Sequence, residues 1–134
     1  MRRVFTAEAG GEIRTAEQSR ATAKRLYERL VQHVSPVVGE AGFDALFARS
    51  LKKIRPSFSF LRELEAGGPA YDVSIHFFES LGKQKLDVVN QVAVDISVAF
   101  ADLLSTFIGE GLTWKLLRDA WPEVLPGESP SGER

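Results

Sequence analysis

The sequence predicts an all-α fold: a compact bundle of five to six helices around one long central helix, near residues 84–108. Three observations carry that expectation. Apolar residues recur at helical spacing along most of the chain, and no stretch shows the period-two alternation of a half-buried strand. Residues 83–108 run without a single Pro or Gly. Elsewhere Gly and Pro fall between amphipathic runs, where helix stops and starts belong.

The chain opens with residues 1–14, which contain Gly10 and Gly11 and no sustained periodicity. A mobile arm is expected there, held at most by Val4 and Phe5. Thr15 then stands where a helix cap belongs, with Gln18 three residues on, as in a capping box. The helix that follows should cover residues 16–34. Ala23, Leu26, Tyr27, Leu30, Val31 and Val34 share its apolar face, and Arg20, Lys24, Arg25 and Arg29 fall largely outside it. Ser35-Pro36 should end or restart this helix, because the residue before a proline disfavours helical geometry. A short helical turn is expected over residues 36–41.

Gly42 precedes the next run, 43–54, with Phe43, Leu46, Phe47 and Leu51 inward. Lys52 and Lys53 near its end complement the helix dipole. Ser57 or Ser59 is expected to cap a shorter helix through Leu61 and Leu64, broken by Gly67-Gly68-Pro69. Asp72 is placed to cap a helix carrying Val73, Ile75, His76, Phe77 and Phe78, with Gly82 between it and the central helix.

In the central helix Leu86, Val89, Ala93, Ile96, Phe100, Leu103 and Phe107 follow at steps of 3, 4, 3, 4, 3 and 4. That spacing defines one helical face. Val88, Val92 and Ala99 lie on one flank of it, and Leu104 and Ile108 on the other. The apolar arc is wider than one partner helix covers, so cover from at least two sides is expected. Asp87, Gln91, Asp95 and Asp102 occupy the opposite strip, and three carboxylates there argue against a membrane span.

Gly109-Glu110-Gly111 should stop the central helix. Thr113 is expected to cap a last helix over 114–121, with Leu112 and Leu117 spaced as a hydrophobic staple. Residues 126–134 have the composition of a disordered tail. The domain itself should span residues 15–125.

The two long runs share a pattern. Val38-Gly39-Glu40-Ala41-Gly42-Phe43 resembles Ile108-Gly109-Glu110-Gly111-Leu112 with one residue deleted, at an offset of 69 or 70. Leu46, Phe47 and Arg49 match Leu116, Leu117 and Arg118. Going backwards, Leu26, Leu30, Val34 and Ser35 align with Ile96, Phe100, Leu104 and Ser105. Two pseudo-repeated units of helix, Gly-Glu turn and helix are therefore expected.

Composition narrows the chemistry. A chain of 134 residues, 44% apolar and 26% charged, suits one domain with a real core. With no cysteine, disulfides, thiolate metal sites and cysteine nucleophiles are excluded. That usage is compatible with the cytoplasm, the expected location. No apolar segment follows Arg2 and Arg3, so no secretory leader is expected. The net charge of −1 conceals a sorting: residues 1–62 hold 12 basic and 6 acidic residues, and residues 63–134 hold 5 and 12.

No constellation for catalysis stands out. His33 and His76 are the only histidines. His76 and Glu79 are three residues apart, but no further ligand spacing accompanies them. Glu40 and Glu110 hold matching places in the Gly-Glu turns, where a carboxylate stabilises a helix N-terminus. Asp87, Asp95 and Asp102 lie about two turns apart, too far for one mononuclear site. There is no phosphate-binding glycine loop and no nucleophile elbow. No enzyme activity, cofactor or metal is expected.

The expectation is a small soluble, non-catalytic interaction or regulatory module with a protein partner. A homodimer through the wide apolar face of the central helix is one form of it. The partner-binding candidates are Phe58, Phe60, Phe77 and Phe78, which flank Gly67-Gly68-Pro69, and Arg20 and Lys24 on the basic first helix. Two alternatives stand beside it. One is a ligand sensor with an apolar pocket between the central helix and Phe77 and Phe78. The other is nucleic-acid binding through the basic first half, against which the sequence pI of about 6.1 weighs.

Overall fold

The structure, a computed structural model, describes residues 14–63 and 73–122. Among them lie five α-helices: α1 (Ala16–Val38), α2 (Glu40–Ile54), α3 (Val73–Leu81), α4 (Leu86–Ile108) and α5 (Glu110–Ala120). Two 3-10 turns, Arg55–Ser57 and Ser59–Glu63, follow α2. No strand occurs among the described residues, and the helices pack on one another as a bundle. The arm with Val4 and Phe5, Leu64, the Gly67-Gly68-Pro69 break, the Asp72 cap and the 126–134 tail lie outside the described residues.

The capping box at Thr15 is present. The Gln18 N–H donates to Thr15 Oγ1 at 3.0 Å, and Gln18 Oε1 accepts the Thr15 N–H at 3.2 Å. From there α1 runs straight through Ser35-Pro36 to Val38, four residues beyond the expected end. Pro36 sits so close to the C-terminus that it removes one hydrogen bond of the ladder, and its exposed ring meets water.

The expected start of the next helix at Phe43, after Gly42, is also displaced. Gly39 makes the turn, at φ 85° and ψ 161°, and α2 starts at the next residue. Gly42 lies inside α2, where a Cβ would come 3.3 Å from the Val38 Cβ. The expected helix near Leu61 is two 3-10 turns, with Leu61 fully buried. Gly82 separates α3 from α4; its N–H donates to the carbonyls of Phe78 and Glu79.

At the end of α4, Gly109 (φ 96°, ψ 154°) closes one helix and opens the next. Its N–H donates to the Ser105 carbonyl at 2.8 Å, and its carbonyl accepts the Thr113 N–H at 3.1 Å. No separate loop is needed, so α5 begins at Glu110. Thr113, expected as a cap, lies inside α5, 4% exposed, with its Oγ1 buried and unpaired.

The two turns are one geometry used twice. Gly39 donates to the Ser35 carbonyl and accepts from Phe43, as Gly109 does with Ser105 and Thr113. The offset is 70 throughout, with no deletion. Phe43 therefore corresponds to Thr113, not Leu112, and Arg49 to Asp119, not Arg118. Helices α1 and α4 each have 23 residues. Buried positions coincide: Ala23 with Ala93, Leu26 with Ile96, Leu30 with Phe100 and Val34 with Leu104.

The halves are interlocked rather than side by side. Helix α2 packs more extensively on α4 than on α1, its own partner, and α5 packs on α1 as well as on α4. Each half's shorter helix thus packs on the other half's long helix, α2 on α4 more extensively than α5 on α1. Ser19 Oγ donates to Asn90 Oδ1 across the α1–α4 contact. Arg29 ties α1 to the end of α5: its Nη1 donates to the Ala120 carbonyl at 3.1 Å, and its guanidinium lies 5.9 Å from the Trp121 ring centre.

The wide apolar arc of α4 is spent inside the fold, against α1, α2 and α5. This covers most of the face expected to mediate a homodimer. One seam residue departs from expectation: Phe107 is 64% exposed. A seam stepping by 3.5 residues on a helix of 3.6 falls about 60° behind over the 21 residues from Leu86 to Phe107. Leu104, fully buried, takes the inward place near that end. Helix α4 is also long and apolar enough to cross a membrane by length and composition. A core helix meets the same criterion, and packing on α1, α2 and α5 accounts for the buried part of its apolar surface, though Val98 and Phe107 stay exposed.

Candidate functional site

The six candidate partner-binding residues fall into separate settings. Phe58 and Phe60 are half-buried and face each other edge-on, with ring centres 6.4 Å apart. Phe77 is a core residue, 2% exposed, wedged between Phe47 at 5.6 Å and Phe78 at 5.1 Å. Phe78 is half-buried and meets Tyr27 edge-on at 5.3 Å. The 3-10 turn with Phe60 packs on α3, so the two Phe pairs sit on neighbouring elements. Arg20, half-buried, and Lys24, exposed, lie on α1.

Between α1 and α4 the packing leaves a crevice of about 30 Å³. Helix α1 lines it with Ala23, Leu26, Tyr27 and Leu30. Helix α4 lines it with Ala93, Ile96, Ser97 and Phe100, the positions 70 residues later. Phe47, Phe77 and Phe78 complete the wall. The crevice thus lies across the contact between the halves, between the central helix and Phe77 and Phe78.

Its origin is local. Ala23 and Ala93 are small at matching places, so neither fills the space between the helices. At the matched pair Tyr27 and Ser97, the two sides diverge. The Tyr27 ring is engaged in edge contacts with Phe43, Phe47 and Phe78 at 5.6, 5.0 and 5.3 Å. Ser97 fills little volume and donates its hydroxyl to the Ala93 carbonyl of its own helix at 2.8 Å. Leaving about 30 Å³ unfilled costs about 0.7 kcal/mol at roughly 24 cal/mol per Å³, which a domain tolerates.

A second feature is an apolar end formed by the α4–α5 turn. Phe107 and Leu112 are 64% and 40% exposed, and Leu103 and Ile108 beside them are half-buried. The matching end of the first half is less apolar. There Val37 stands for Phe107, Gly42 for Leu112 and His33 for Leu103. Asp102 and Glu110, close to Phe107 in the chain, are exposed.

The remaining candidates are held in ordinary ways. His76 Nδ1 lies 3.6 Å from Glu79 Oε1 on the surface of α3. Glu40 and Glu110 are exposed in the first turns of α2 and α5. Gln91 Nε2 donates to Asp95 Oδ1 at 2.8 Å, within the polar strip of α4. Among the described residues no three His, Asp or Glu side chains gather as metal ligands do. Lys24, Arg49, Lys52 and Lys53 are exposed on α1 and α2.

Sequence reasoning did not single out Ala23, Ala93 and Ser97. The signal available was smallness at matched, inward positions of two long helices. Comparison with protein-family models, curated proteins and solved structures finds no match to this chain.

Proposed function

We propose that the protein is a small, non-catalytic helical interaction module that self-associates through the α4–α5 end. The observation that carries this reading is the 64% exposure of Phe107 beside the 40% exposure of Leu112. Burying a Phe side chain is worth roughly 1.5–3 kcal/mol, and water leaves that gain unclaimed in the free chain. Large aromatics are also the residues that anchor protein interfaces. Exposed Asp102 and Glu110, close to Phe107 in the chain, favour a basic neighbour. The chain supplies one in its first half, where residues 1–62 carry a balance of +6.

Light scattering across protein concentration and salt tests this. The wild type should gain mass with concentration, and Phe107→Asp with Leu112→Asp should remain monomeric while keeping its helical circular dichroism. A wild type that stays monomeric at every concentration refutes self-association. So does a double variant that associates as the wild type does.

A further inference from the structure

We infer that the crevice between α1 and α4 is a binding site for a small, uncharged, apolar molecule. This goes beyond self-association and stands on a different part of the fold.

The lining decides the ligand's chemistry. It holds no acidic or basic side chain, so a charged ligand entering would lose its hydration without compensation. The Ser97 hydroxyl is committed to the Ala93 carbonyl. The crevice opens to the surface beside half-buried Tyr27 and Phe78, and its apolar walls offer water few of the two to four polar partners it needs to settle. An apolar occupant loses no hydrogen bond on entering and gains dispersion contacts that the void otherwise forfeits.

The volume decides the ligand's size. About 30 Å³ is a fraction of the roughly 150 Å³ in which an engineered apolar cavity takes up benzene. The site therefore takes no more than a single noble-gas atom or a molecule of comparable size, seated at its open mouth, and excludes an aromatic ring. The way in is between Tyr27 and Phe78. These two rings are half-buried, in contrast to buried Phe47, Phe77 and Phe100. They meet by an edge, at 5.3 Å. Phe78 rides on α3, a nine-residue helix set off from α4 by the Gly82 turn.

Xenon is the probe. Methyl NMR spectra of the full chain under increasing xenon pressure should show saturating shifts at Leu26, Leu30, Ala93 and Ile96. Methyls remote from the lining, such as Leu51 and Leu116, should move only weakly and linearly. Shifts that are linear and uniform across all these methyls overturn the inference. Ser97→Val places two methyl groups in the space, and its saturable xenon shift should be lost with the helical signal retained. Persistence of the saturable shift in that variant also overturns the site. Should Ser97→Val fail to fold, the wild-type titration decides alone.

Discussion

Replacing Gly109 by Ala isolates the physical reason that the two halves of this protein turn where they do. Gly109 sits at φ 96° and ψ 154°, and Gly39 at φ 85° and ψ 161°. That corner of backbone space is open essentially to glycine alone, and holding another residue there costs about 1–3 kcal/mol. A Cβ added at either position meets no atom within 4 Å, so no clash contributes and the whole penalty is backbone strain. Gly111 is the control. It lies in the first turn of α5, without positive φ, and a Cβ there also meets open space. Ala at that position should stabilise by about 0.4–1 kcal/mol, through lower entropy of the unfolded chain. Urea unfolding followed by far-UV circular dichroism measures all three. Gly109→Ala and Gly39→Ala should each lose about 2 kcal/mol, a Tm decrease of roughly 7 °C for a chain of this size. Gly111→Ala should move the midpoint the other way. If Gly109→Ala unfolds within 0.5 kcal/mol of the wild type, the turn is not held by glycine's backbone freedom. If Gly39→Ala alone is neutral, the two turns are not energetically equivalent.

Three further outcomes test other parts of the fold. Thr113→Val removes a buried hydroxyl that has no partner and keeps the side chain's shape. It should raise stability by about 1 kcal/mol, read from the urea midpoint. A loss of stability would show that the hydroxyl is paired in solution. Arg29→Ala removes both the bond to the Ala120 carbonyl and the contact with the Trp121 ring. A loss of about 1–3 kcal/mol, with altered Trp fluorescence, is expected, and unchanged fluorescence would argue against the ring contact. Thr15→Ala deletes one arm of the capping box and should cost about 1 kcal/mol. Faster amide exchange confined to the first turn of α1 is the accompanying sign, and exchange raised throughout the bundle would contradict a local cap.

The sequence by itself determined the fold class, the central helix and the Thr15 cap, and it showed the repeated Gly-Glu pattern without fixing its register. These are local matters. Periodicity sets which face of a helix is apolar, and a cap needs only residues within one turn. Tertiary structure decided the rest. That α1 ends at Gly39 rather than at Ser35-Pro36 was decided by where α2 folds back: Gly39 takes the positive φ of the turn, and Gly42, inside α2, lies so close to Val38 that a Cβ there would come within 3.3 Å of it. Phe107 left the core because a 3.5-residue pattern drifts around a 3.6-residue helix, and packing then selects Leu104. Wedged in the core between Phe47 and Phe78, Phe77 differs from Phe58 and Phe60, a distinction their shared aromatic character conceals. The crevice depends on Ala23, Ala93 and Ser97 lining one contact between helices 70 residues apart in the chain. No local rule specifies that meeting; it follows from how the interlocked halves bury their faces together.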